Sequence, residues 1–163
     1  MNTTSLVLSL VLALATAVPT AGQKPEPLFR TSGAFIGLSV PDLQASIKWY
    51  SDKLGLQITM QEPKRDKASF AVLEGGGLIV ELVQLDDAKS LKQVAPSVTD
   101  RPFLHGPFKS GMIVEDYERL LGTFKERGVE IAYGPFPARD RQRANVIIRD
   151  NAGNLIQIFG ASR

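Results

Sequence analysis

From Ala34 to Val40 apolar residues alternate with small, aromatic or polar ones: Ile36, Leu38 and Val40 fall on one side, and Phe35, Gly37 and Ser39 on the other. A period of two predicts a strand. At Pro41-Asp42 the period changes. Leu43, Ile47, Tyr50 and Leu54 recur at helical spacing and predict an amphipathic helix with one buried stripe. Proline suits the helix entry, and the Asp42 carboxylate can accept from the first free amides. Gly55 supplies a left-handed exit. Strands are predicted at Gln57 to Gln61, Ala68 to Glu74 and Leu78 to Leu85. Gly75-Gly76-Gly77 joins the last two as a hairpin turn that needs positive φ.

The same order returns more weakly in the second half: a strand from Phe108 to Val114 and a helix from Asp116 to Arg127 with Tyr117, Leu120, Leu121 and Phe124 on its buried face. Strands at Glu130 to Tyr133, Ala144 to Asp150 and Asn154 to Phe159 follow, the last two joined by Asn151-Ala152-Gly153. Val40-Pro41-Asp42-Leu43 aligns with Val114-Glu115-Asp116-Tyr117, so the chain reads as a tandem of two units. A site is expected between them. The connection 86–107 is polar, contains Pro96 and Pro102 and is long for a compact domain, which makes it a lid or the crossover between units.

Residues 1–22 carry no charged side chain, and the apolar run Leu6 to Ala15 is shorter than the roughly 20 residues that span a bilayer. Small residues follow at Ala15-Thr16-Ala17 and Thr20-Ala21-Gly22, the layout of a cleaved signal peptide, against the alternative of an uncleaved anchor or leader. The expected organisation is a signal peptide at 1–22, a linker at 23–33 and one domain at 34–160, with modules 34–85 and 108–160. The mature protein is then secreted or periplasmic, with no stable membrane span. The chain of 163 residues has a net charge of only +2, its positive residues scattered, which argues against nucleic acid. With no cysteine, disulfides, thiolate nucleophiles and sulfur-ligated metals are excluded; with a single histidine, His105, so is any site needing two imidazoles from one chain.

The doubled βαβββ order, the Val-Pro-Asp-Leu helix start, Trp49-Tyr50 and the Leu54-Gly55 exit resemble the vicinal oxygen chelate superfamily, which includes glyoxalase I, bleomycin-resistance proteins, fosfomycin-resistance enzymes and extradiol dioxygenases. Arg149-Asp-Asn-Ala-Gly-Asn-Leu-Ile-Gln-Ile-Phe159 is similar to that family's closing hairpin and final strand. The resemblance implies an α+β fold: tandem βαβββ modules forming a curved mixed sheet around a central cup, with the helices on its outer face. It also implies metal-ligand positions on the first and last strands of each module, here Phe35, Glu81, Lys109 and Gln157. Only Glu81 is a usual ligand; phenylalanine cannot ligate, a lysine ammonium repels a divalent cation, and an amide carbonyl is a weak donor. His105, four residues before Lys109, is the one residue that could rescue such a site. No cofactor is therefore expected, with a divalent metal as the alternative.

Glu81 and Lys109 are the candidates for chemistry, expected to face each other across the cup. They would form either a structural ion pair or a charged site in which Lys109 replaces the metal's positive centre. Phe35, Ser39, Glu81, Lys109, Gln157 and Phe159 are the expected ligand-binding set. Arg139, Arg141 and Arg143 alternate and would either clamp an anion or form a solvated hairpin face. Trp49 and Tyr50 read as structural. Three functions stay open: an exported protein binding a small organic molecule, anionic in one version, without metal; a metal-dependent lyase, isomerase or dioxygenase; and an interaction module with a filled cup. Homodimerisation is also left open.

Overall fold

The computed structural model describes residues 34–140 and 142–161. The expected signal peptide, the linker and Arg141 lie outside the described residues. Module 1 runs β1 (Ala34–Ser39), α1 (Leu43–Trp49), β2 (Gln57–Arg65), β3 (Ala68–Gly75) and β4 (Leu78–Leu85). A crossover carrying the short helix α2 (Leu91–Val94) leads to module 2: β5 (Lys109–Val114), α3 (Tyr117–Glu126), β6 (Glu130–Phe136), β7 (Asn145–Arg149) and β8 (Leu155–Gly160). Each module is a four-stranded mixed sheet, ordered β1-β4-β3-β2 and β5-β8-β7-β6. The first strand of each pairs parallel to the last, and the other pairings are antiparallel. Tandem βαβββ modules with helices on one side of the sheets are therefore present, as two four-stranded sheets.

The helix starts follow their sequence signals. Asp42 accepts from the Ala45 amide at 2.9 Å, and Asp116 from the Arg119 amide at 3.2 Å. The first helix does not end as a regular helix: Tyr50–Leu54 form a π-helical turn that closes on Gly55 at φ 76°. Strands β2 and β6 run past the predicted ends at Gln61 and Tyr133, through Pro63 and Pro135. Both are edge strands, and the ladder shifts register between Glu62 and Arg65 and between Tyr133 and Phe136. A proline without an amide donor is tolerated at such places.

Strand alternation sets one face of each sheet against its helix. Val80, Leu82 and Leu73 in module 1, and Val146, Ile148 and Ile158 in module 2, are at most 1% exposed. Each such aliphatic side chain contributes about 1.5–3 kcal/mol by leaving water. Leu43, Ile47 and Tyr50 from the first helix and Tyr117 and Phe124 from α3 join them in one continuous hydrophobic core. Leu54, Leu120 and Leu121, expected in the buried stripes, are half-buried at their margins.

The modules meet along a polar seam at the end of the first helix. The Tyr50 hydroxyl donates to Asp150 Oδ2 at 2.9 Å, and Asn151 Nδ2 to Ser46 Oγ at 3.2 Å. Arg127 Nη1 donates to the carbonyls of Asp52 and Lys53 at 3.3 and 3.4 Å, and Lys53 Nζ returns a hydrogen bond to the Arg127 carbonyl.

Candidate functional site

The face of each sheet away from its helix is where the tandem architecture places a cup. In module 1 that face carries Phe35, Gly37 and Ser39 from β1, opposite Ile79, Glu81 and Val83 from β4. In module 2 it carries Lys109, Gly111 and Ile113, opposite Leu155, Gln157 and Phe159. The predicted side-chain directions hold: β5 reads exposed and half-buried alternately along its whole length. Within one chain the two faces do not cover each other. Phe35 is 68% exposed and Ile113 62%.

The predicted site residues accordingly fall into separate groups. Lys109, Gln157 and Phe159 come together over module 2, around an open depression of about 380 Å³ that also takes in Gly111 and Ile113. Its floor is apolar, with two polar handles. Gln157 Nε2 donates to Asn145 Oδ1 at 3.0 Å, which orients the amide and leaves its oxygen an acceptor without a donor among the described residues. Lys109 Nζ lies 5.2 Å from the Phe108 ring centroid, a cation–π distance. A Cβ on Gly111 would stand 2.6 Å from the Gln157 carbonyl oxygen, so only glycine lets the two strands approach this closely.

Phe35 and Glu81 lie together on module 1, with Glu81 Oε2 3.4 Å from where a Gly37 Cβ would stand. Among the described residues Glu81 and Lys109 form no ion pair; the five present are elsewhere. The reason is topological: the seam joins helix end to hairpin, not sheet face to sheet face. Ser39 borders a different cleft of about 700 Å³, shared with the crossover and the β7–β8 turn. Arg139 forms an isolated bridge with Gln142 in the exposed β6–β7 loop, and Arg143 is exposed.

The inherited ligand positions do not fit a divalent metal. Phe35 and Glu81 sit on one sheet, Lys109 and Gln157 on the other, and among the described residues no three His, Asp or Glu side chains cluster in a ligating arrangement. His105 is exposed in the crossover and joins no such group.

Asp150 is the residue the sequence reading passed over. It is 3% exposed, and its carboxylate accepts from the Tyr50 hydroxyl, the amides of Ala152 and Asn154, and Asn154 Nδ2. Burial first, and then the Asp150 charge, raise the Tyr50 hydroxyl far above its ordinary 10.0. The sequence signal lies in the stretch from Arg149 that carries the similarity to the family's closing hairpin, where Asp150 ends the expected strand and Asn151-Ala152-Gly153 forms the expected tight turn.

The sequence matches the family model of the Glyoxalase/Bleomycin resistance protein/Dioxygenase superfamily over residues 34–158. It is 25% identical over 128 residues to the uncharacterized protein YraH of Bacillus subtilis (strain 168), covering 76% of this chain and 94% of that one. The fold is similar to a glyoxylase/bleomycin resistance protein/dioxygenase domain from Frankia sp. EAN1pec, at TM-score 0.62 and 20% identity over 84% of this chain and 95% of that one. It is also similar to TnmS3, an antibiotic binding protein from Streptomyces sp. CB03234, at TM-score 0.56 and 16% identity over 83% and 100% of the two chains. A glyoxalase I mutant from Zea mays aligns at TM-score 0.59 and 20% identity over 79% of this chain and 45% of that one.

Proposed function

The chain belongs to the Glyoxalase/Bleomycin resistance protein/Dioxygenase superfamily, and from that premise we propose that it is an exported binding protein for a small organic anion, held over the open face of module 2 without a catalytic metal. One observation carries this reading: Lys109, the amide oxygen of Gln157 and the apolar side chains of Ile113 and Phe159 line one depression of about 380 Å³. That volume suits a small ligand held by apolar contact and oriented by a few polar groups. Lys109 attracts a carboxylate, Gln157 accepts from a hydroxyl or amide, and the side chains around them cover a ring or alkyl body.

The donor chemistry supports the metal-free version, since a lysine and an amide stand at two inherited ligand positions and a phenylalanine at a third. Exposure of large apolar side chains on the open faces (Phe35 68%, Ile113 62%, Met60 51%) favours a homodimer in which a second copy closes the site. Export rests on the apolar leader alone.

Titration of the full chain with a series of aromatic carboxylates, followed by native mass spectrometry, tests the proposal. The expected result is one ligand per chain and binding lost on Lys109→Gln with the fold unchanged. Indifference to Lys109→Gln would overturn the site. One zinc, nickel, manganese or iron per chain, lost on Glu81→Ala, would overturn the metal-free reading. N-terminal sequencing of exported protein should find a start after a residue between Ala17 and Gly22; an intact Met1 on cytoplasmic protein would overturn export.

A further inference from the structure

The larger cleft, of about 700 Å³, is built from three parts of the chain that no single module supplies. Ser39 and Gln84 stand at the ends of β1 and β4, Lys89 to Lys92 and Thr99 to Arg101 come from the crossover, and Ala152 to Asn154 from the β7–β8 turn. Its charge is unbalanced. Lys89, Lys92, Arg101 and Arg149 line it, against Asp86 and Asp100. Asp86 is already held by Lys64 Nζ at 2.7 and 2.8 Å, outside the lining. Asp100 accepts from the Arg101 amide at 2.8 Å as the cap of a short turn. Arg149 Nε is engaged by Glu130 at 2.9 Å, which leaves its terminal nitrogens. Lys89, Lys92 and Arg101 form no ion pair among the described residues.

Neutral donors stand among these cations. Gln84 Oε1 accepts from the Leu43 amide at 2.7 Å, which fixes the side chain and leaves its NH2 to donate. The Ser39 hydroxyl is exposed.

We propose that this cleft is a second binding site, separate from the face carrying Lys109, for a small anion bearing at least two negative charges. Lys89, Lys92 and Arg101, set against the one lining carboxylate without an ion-pair partner among the described residues, Asp100, leave two positive charges in excess, which a single carboxylate cannot balance. Guanidinium and ammonium groups together suit a phosphomonoester or a polycarboxylate, which share that charge density. The cleft is open, and at physiological salt the screening length is about 8 Å, so binding weakens as salt is raised. A bound anion would touch module 1, the crossover and the turn that Asp150 organises, and would tie the crossover down.

Calorimetric titration of the full chain with inorganic phosphate and with citrate, against chloride at matched ionic strength, tests the site. Saturable binding of phosphate alone identifies the phosphomonoester class, and of citrate alone the polycarboxylate class. Binding of neither overturns the proposal. The triple variant Lys89→Gln/Lys92→Gln/Arg101→Gln should weaken binding at least about tenfold, and Lys109→Gln should change it less than about twofold. The reverse pattern would put the anion on the open face, refuting this cleft while favouring the proposed ligand site. If the triple variant misfolds, amide shifts of the unsubstituted chain decide: movement at Ser90, Gly153 and Asn154 supports the cleft, and movement confined to Gly111 and Ile113 overturns it.

Discussion

The two modules share an element order, but their equivalent positions carry opposite chemistry. Gly37 aligns with Gly111, Phe35 with Lys109, and Glu81 opposite the first glycine with Gln157 opposite the second. The open face of module 1 therefore bears a carboxylate and that of module 2 a cation. The hairpins between the last two strands differ as well. In module 1 the turn is glycine-rich, and Gly75 is pressed on Leu56, whose Cδ2 would lie 2.9 Å from an added Cβ. In module 2 the turn is a hydrogen-bonded box around Asp150 that reaches into module 1 to grip Tyr50. One repeat copy closes on itself, and the other became the clasp. The helices show the same division: Tyr50 has a partner for its hydroxyl, whereas the hydroxyl of Tyr117, also buried, has none among the described residues.

Asp150 is where that asymmetry should break hardest. Asp150→Ala removes the acceptor of four donors and leaves buried ones unsatisfied, so a loss of roughly 3 kcal/mol or more is expected in urea unfolding. A loss under about 0.5 kcal/mol would mean the seam contributes nothing. Next comes the glycine pair. Gly111→Ala drives a Cβ against a backbone oxygen and should cost about 1–3 kcal/mol as overpacking. Gly37→Ala meets only the movable end of Glu81 at 3.4 Å and should stay within about 0.5 kcal/mol. Equal costs would erase the distinction between the faces.

The tyrosines give the finer contrast. Tyr50→Phe should cost about 1 kcal/mol by depriving Asp150 of a donor. It should also alter the alkaline limb of stability. The folded state holds Tyr50 protonated above its ordinary 10.0, so its contribution is full below that pH and is lost as pH rises past it. Melting curves between neutral and strongly alkaline pH should fall less steeply for Tyr50→Phe than for the unsubstituted chain; parallel curves would contradict this. Tyr117→Phe, at the small end, should be neutral or slightly stabilising, because it deletes a buried hydroxyl with no partner among the described residues. A clear loss there would show that Tyr117 has a partner after all.

The sequence by itself determined the local structure. Periods of two and of helical spacing, Asp42 and Asp116 at the caps and Gly55 at the exit depend on neighbours a few residues apart, and they placed the two main helices, the body of each strand and the side-chain direction of β1, though not the crossover helix α2 or the outer ends of β2 and β6. Lys109 and Gln157 were singled out by the family resemblance, and strand alternation, a short-range rule, gave the face they share; the parallel pairing of β5 with β8 that sets them side by side joins residues far apart in the chain. What only the tertiary structure decided lies at long sequence separation. Tyr50 and Asp150 stand 100 residues apart and meet through the packing of a helix end on a hairpin, which no periodicity encodes. The same packing turned the helix end into the seam, left the open faces uncovered and kept Glu81 from Lys109. It also gathered Ser39, expected in the cup, with Lys92 and Asn154 around one separate cleft. Local rules fix which way a side chain points, but which other side chain it meets depends on how whole elements dock.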